Sequence, residues 1–170
     1  MYLALLHTMR NFKFIVVLLV ALGCLQSCKE ETKKVLKTEP IAFKKEGELS
    51  FYRQKVDTLI AKIDIEIAET DYETETGLMY RKGMAQDQGM LFIFPGARLH
   101  NFYMKNTEFP LDLIFINENL EVASFVENAK PFDETSLSSE VPVKYVLEVN
   151  AGLAQKWAVQ VGDRVEYTRR

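Results

Sequence analysis

Residues 63–67 read Ile-Asp-Ile-Glu-Ile, a strict period of two that suits a strand with one face against a core. Ile63, Ile65 and Ile67 share the core face, while Lys62, Asp64 and Glu66 are expected to face water. Further short apolar runs follow. Gly89 to Phe94 ends at a Pro95-Gly96 turn, Leu99 to Met104 is a weaker candidate strand, and Leu111 to Ile116 is almost continuously apolar. Asn117-Glu118-Asn119 is turn material from which Leu120 to Val126 returns as a hairpin partner. Val143 to Val149 is another strand, and the turn from Val161 to Arg164 leads into a last one ending near Tyr167. Residues 129–142, with two prolines and several hydroxyl side chains, read as an exposed connection in which Ser136, Ser138 and Ser139 have ordinary turn roles.

Helix signals are few and scattered among these strands. Thr70 and Glu73 have capping-box spacing for a short helix toward Tyr80, which Gly77 keeps short, and Asn150 is placed to cap another through about Trp157. The pattern predicts a mainly β domain with short helices, a compact β-sandwich or a partly open β-barrel. An alternating parallel sheet would need more helix in its crossovers.

The chain has 170 residues, 48% of them hydrophobic, which supplies one self-sufficient core. Both cysteines, Cys24 and Cys28, lie at the N-terminal end, so no disulfide is available to staple that core. Residues 1–27 hold only two of the 21 basic side chains, leaving 19 against 24 acidic ones in the remainder. Such a mildly acidic surface argues against nonspecific binding of nucleic acid through a basic face.

Arg10 and Lys13 precede an apolar run from Phe14 to Leu25, the order of a secretory signal peptide. A run of this length falls short of the roughly 20 residues a helical membrane span requires. Leu25-Gln26-Ser27-Cys28 resembles a lipobox, with small Ser27 before the thiol that takes the lipid; Ala21-Leu22-Gly23-Cys24 is a rival box. Met9 makes a more conventional start for this signal than Met1. The expected organisation is a signal peptide over 1–27, a lipidated N-terminus and tether over 28–55, and a single domain over 56–170. Lys29-Glu30-Glu31 looks like an acidic export tag, although three residues are a weak signal and a plain solvated linker explains them better. The chain is thus expected at a bacterial envelope, held to the membrane by lipid on Cys28.

An ordered series of segments carries a family resemblance. These include Gly77-Leu78-Met79-Tyr80-Arg81, Gly89 to Pro95, Met104-Lys105-Asn106-Thr107, Pro110 to Ile116, Tyr145-Val146-Leu147-Glu148 and Gly162-Asp163. Together they make residues 60–168 similar to the bacterial and archaeal domain of unknown function 192 family. Tyr103 and Tyr80 stand where that family usually has Trp and Phe. The resemblance implies a compact β-rich domain often found behind export signals, and carries over no reaction or ligand.

Among polar residues, Arg81, Lys105, Asn106, Thr107 and Asp112 are the candidate cluster or ligand-binding set. Arg81 offers a planar donor fork, Lys105 a point charge, and Asn106 and Thr107 directional donors and acceptors. Asp112 stands in a strongly apolar run where burial without a partner would be costly, so Arg81 is expected to meet it, directly or through Asn106. His100 has no His or Cys neighbours in sequence, so no metal or other cofactor is expected. The functional expectation is a noncatalytic binding or accessory domain for a polar small molecule, glycan or envelope protein. The alternative is a carboxylate-dependent enzyme with Asp112 as base and Arg81 or Lys105 binding an anionic substrate.

Overall fold

The computed structural model describes residues 41–170; the signal, the lipobox with Cys28, and the acidic tag lie outside the described residues. The strands are β1 (Gly47–Tyr52), β2 (Leu59–Ala68), β3 (Gln88–Arg98), β4 (Asn101–Phe102), β5 (Leu111–Ile116), β6 (Val122–Ala129), β7 (Leu137–Ser138), β8 (Val143–Asn150) and β9 (Arg164–Arg169). The helices are α1 (Asp71–Thr76) and α2 (Leu153–Lys156). Seven strands form one sheet in the order β6-β5-β8-β3-β2-β1-β9, and β4 pairs with β7 separately. Every neighbouring pair is antiparallel except β2–β3, whose crossover carries α1.

The mainly β reading holds, and of its two forms the structure takes the partly open barrel. The outer strands of the order approach at one corner through a bridge between Glu121 and Arg164. There Val122 N donates to Asp163 O (2.9 Å) and Val165 N to Leu120 O (2.7 Å), while the sheet stays unclosed along the rest of those edges. One face encloses a core of Leu49, Phe51, Ile65, Leu91, Ile114, Leu147 and their neighbours. The other carries a second core, including Met90, Phe92, Leu113, Phe115 and Val146, roofed by Leu78, Met104 and Phe109 from the connections. Core on both faces explains why β5 is buried at all six positions and reads as an unbroken apolar run.

Several expectations need correction. The tether assignment fails over 47–52, because Leu49 and Phe51 alternate with Glu48 and Ser50 and fill the core as β1, between β2 and β9. Flanking charged residues masked that short period. Pro95-Gly96 does not end its strand; β3 runs on to Arg98 through an irregular register between Ile93 and Arg98. The candidate strand from Leu99 to Met104 shrinks to two residues. Ser139 is fully buried, its hydroxyl accepting from His100 N (3.1 Å) and donating to Val141 O (2.8 Å).

The first helix forms as its caps predict. Thr70 Oγ1 accepts from Glu73 N, Glu73 returns a carboxylate to Thr70 N, and Gly77 ends the helix at φ +48. The second helix does not use Asn150 as its cap. Asn150 instead ends β8 and donates to Met84 O at 2.8 Å, with Gly152 taking the left-handed position before Leu153.

Candidate functional site

Strand pairing sets Glu66, Met90, Glu148 and Leu113 in one row across β2, β3, β8 and β5. Since Met90 and Leu113 belong to the second core, Glu66 and Glu148 project onto that face, with Ile65, Ile67, Leu147 and Val149 on the other. Glu66 is therefore buried rather than bathed in water, because the connection after α1 covers it. Arg81, from that connection, places Nη1 2.5 Å from Glu66 Oε2, with side-chain exposures of 11% and 7%. The contact is close without the alignment of a hydrogen bond, and Arg81 Nε has no acceptor, so the two side chains form an ion pair. The other carboxylate oxygen of Glu66 accepts from Lys44 N at 2.7 Å.

Beside this pair a cleft of about 260 Å³ opens over the second core. The turn at Gly77 and Met79 forms one wall, Phe92, Phe94 and Phe102 another, and the sheet residue Glu148 borders it from β8. Phe102 meets Phe92 edge-on at 5.1 Å, and His100 stacks on Phe94 at 3.6 Å, so these rings brace one another. Glu148 is only 6% exposed. Burial pushes its carboxyl up to about 8, against the opposing pull of Arg81, so it is predominantly protonated at neutral pH. His100 also borders the cleft; burial first, and then the charge of Arg98, hold its imidazole below its ordinary value, and Nε2 is buried without a partner.

The five sequence candidates do not form one cluster. Asp112 lies on the opposite sheet face from Glu66 and Glu148, paired across strands with Val149 of the first core. Its carboxylate accepts from Asn128 N (2.8 Å) and Ala154 N (3.0 Å), thereby fixing a register shift against β6 and capping α2 from a distant strand. The expected Arg81–Asp112 link is thus absent; Arg81 pairs with Glu66 because period-two alternation sends Asp112 to the other core. Asp112 is 0% exposed and lines none of the described clefts, which removes it as a solvent-accessible base.

Asn106 sits at φ +56, its carbonyl accepting from Tyr80 N and its Nδ2 donating to Tyr80 Oη, both at 2.8 Å. This contact docks the Tyr80-Arg81 segment on the Met104–Thr107 turn. Thr107 is buried and borders the cleft, whereas Lys105 is exposed and outside it. Glu148 was the missed residue. It stands in Tyr145-Val146-Leu147-Glu148-Val149, an acid in an apolar strand by the same logic that singled out Asp112.

Replacing Asp112 with Asn should destabilise the fold by about 2–4 kcal/mol, since one of its two charge-assisted bonds is lost and an amide N–H is turned toward a backbone N–H. Combined with Arg81→Met, the losses should add to within about 0.5 kcal/mol because the two sites share no partner. Urea denaturation of the four proteins checks this; a coupling well above that value would contradict the opposed-face placement.

Comparison with known proteins gives a consistent family. The model of the DUF192 family, described as Uncharacterized ACR, matches residues 52–167. A UPF0127 protein of Pyrococcus furiosus is 29% identical over 113 residues, 64% of this chain and 90% of that protein. A Sinorhizobium meliloti structure, provisionally described as a transcription regulator, is 38% identical at a TM-score of 0.69, covering 75% of this chain and 96% of that one. A Novosphingobium aromaticivorans structure of unknown function is 34% identical at a TM-score of 0.66, with coverages of 70% and 83%.

Proposed function

The chain belongs to the DUF192 family, and we propose that it is a noncatalytic binding domain, held at the bacterial envelope by lipid on Cys28, that takes a polar small molecule into the cleft over Glu148. The observation that carries this reading is a nearly buried carboxyl group reaching an open cleft with Phe92, Phe94 and Phe102 along one wall. Such a site supplies apolar area for affinity and a polar group that orients its occupant. Burial and Arg81 are the influences on that carboxyl.

The description of the Sinorhizobium relative is not carried over. A chain with 24 acidic and 21 basic residues lacks the excess positive charge that phosphate binding uses.

Two measurements test the two halves of the proposal. Labelled palmitate should enter the wild type and Cys24→Ser but not Cys28→Ser, and only the last should leave the membrane fraction; the reverse pattern would move the anchor to Cys24. A metabolite panel monitored by ligand-observed NMR on the full-length protein should yield binders whose signal weakens in Thr107→Val and Met79→Ala. Turnover of a panel member would overturn the noncatalytic reading, and binding indifferent to both substitutions would overturn the cleft assignment.

A further inference from the structure

We propose that the occupant of the Glu148 cleft is a neutral sugar unit, the size of a single hexose ring, stacked on Tyr103 and hydrogen-bonded by Arg98, Asn101 and Thr107. This deepens the binding reading and rests on it.

Three features of the cleft select that class. Its volume of about 260 Å³ lies below the roughly 300–1,000 Å³ of drug-sized sites, which limits the occupant to one small ring. Its charges offset one another: Arg98 and Glu75 both border it, neither makes an ion pair among the described residues, and Glu148 is predominantly neutral at its floor. A free anion or cation would meet one favourable and one unfavourable charge there, whereas a neutral ligand is indifferent to the pair.

The polar groups are also of the mixed kind that hydroxyls satisfy. Arg98 donates, Asn101 donates through Nδ2 while its Oδ1 accepts from Ser136 Oγ (3.1 Å), Thr107 donates and accepts, and the Glu148 carboxyl does both when protonated. A hydroxyl is itself donor and acceptor, so one polyol ring matches all four, while a carboxylate accepts only and an ammonium donates only. The Arg98 guanidinium lies over Phe94 at 5.9 Å and is held beside the aromatic wall rather than swinging free. His100 and Arg98 already cover the ring of Phe94, which leaves Tyr103, 48% exposed and bordering the cleft, to meet the carbon-bound hydrogens on one side of a pyranose.

The test is saturation-transfer NMR on the full-length protein in a zwitterionic detergent without sugar headgroups. The probes are glucose, galactose, mannose and N-acetylglucosamine, with lactate and ethanolamine as charged controls of small size. At least one sugar should receive saturation at roughly millimolar affinity. Asn101→Ala should weaken it about fivefold, the effect of losing a neutral hydrogen bond, whereas Ser136→Ala, which removes only the exposed bond to Asn101 Oδ1, should leave it unchanged, and Tyr103→Ala should reduce transfer to ring protons. Disaccharides carrying the same unit distinguish a free sugar from a glycan end, binding more weakly in the first case and at least as well in the second.

Lactate or ethanolamine binding at these residues in place of every sugar would overturn the sugar assignment and leave the cleft as a binding site. Sugar binding unaffected by both Asn101→Ala and Tyr103→Ala would place the sugar elsewhere and overturn it too. If no probe binds while the wider metabolite panel finds a cleft ligand, the sugar class alone fails; if that panel also finds none, the cleft reading itself fails.

Discussion

Arg81→Met should lower the folding free energy by about 3–5 kcal/mol, because it leaves the Glu66 carboxylate buried beside the second core with only the Lys44 backbone N–H as a partner. Methionine keeps the length and packing of the side chain, so the loss reports charge rather than volume. Arg81→Lys should recover only part of it, since a shorter, more flexible stem must carry its ammonium to where Nη1 now meets Glu66 Oε2. Adding Glu66→Gln to Arg81→Met should recover most of the stability by removing the stranded charge. Equilibrium denaturation reads all of these. An Arg81→Met midpoint equal to wild type would show that the pair contributes nothing, and a double variant no better than the single would locate the effect elsewhere.

The second large effect is a pH dependence centred on Glu148. Its folded-state carboxyl stands at about 8 against an ordinary 4.5. Between those values the folded state holds a proton that the unfolded state has released, so this group's stabilising contribution is complete below about 4.5 and is lost as pH rises through about 8. The difference of 3.5 pH units corresponds to about 5 kcal/mol at most, and relaxation around the ionised group makes about 3–5 kcal/mol the expected range. Glu148→Gln keeps the shape and stays neutral. Its stability relative to wild type should therefore be nearly flat below pH 4.5 and rise steadily between 4.5 and 8. Glu46, Glu48, Glu69 and Glu73, all held below their ordinary value by hydrogen bonds or cations, act in the opposite sense as the solution turns acidic. Taking the difference between the two proteins removes their contribution. A difference that does not change between pH 5 and 8.5 would refute the buried neutral acid.

A wild type stabilised at mildly acidic pH also bears on the cleft. Once Glu148 ionises, the floor gains a negative charge and loses a donor, so a ligand bonded to its protonated carboxyl should bind more weakly above pH 8. The same titration thus links the fold to the site it floors.

Local features were legible in the residues. The alternation of Ile63, Ile65 and Ile67, the apolar run of β5, the turn at Asn117–Asn119 and the capping box of Thr70 and Glu73 all form as they read, since each depends on neighbours within a few positions. The same alternation is present at Leu49 and Phe51 in β1, where the surrounding lysines and glutamates obscure it. The burial of Asp112 was also legible, because an acid among Leu111, Leu113 and Ile114 has nowhere else to go.

Its partner was not, and neither was the site. A period of two fixes which residues share a face but not what covers that face, and here both faces are covered. The residues that roof Glu66 and Glu148 come from the connection after α1 and from the loops around β4, distant in sequence and irregular in period. Only the sheet order decided that Arg81 lies over Glu66 rather than Asp112, and that Glu148 comes to floor a cleft between those loops. Strand character is a property of the local chain; the choice of partner across a sheet is settled when distant segments compete for the same buried surface.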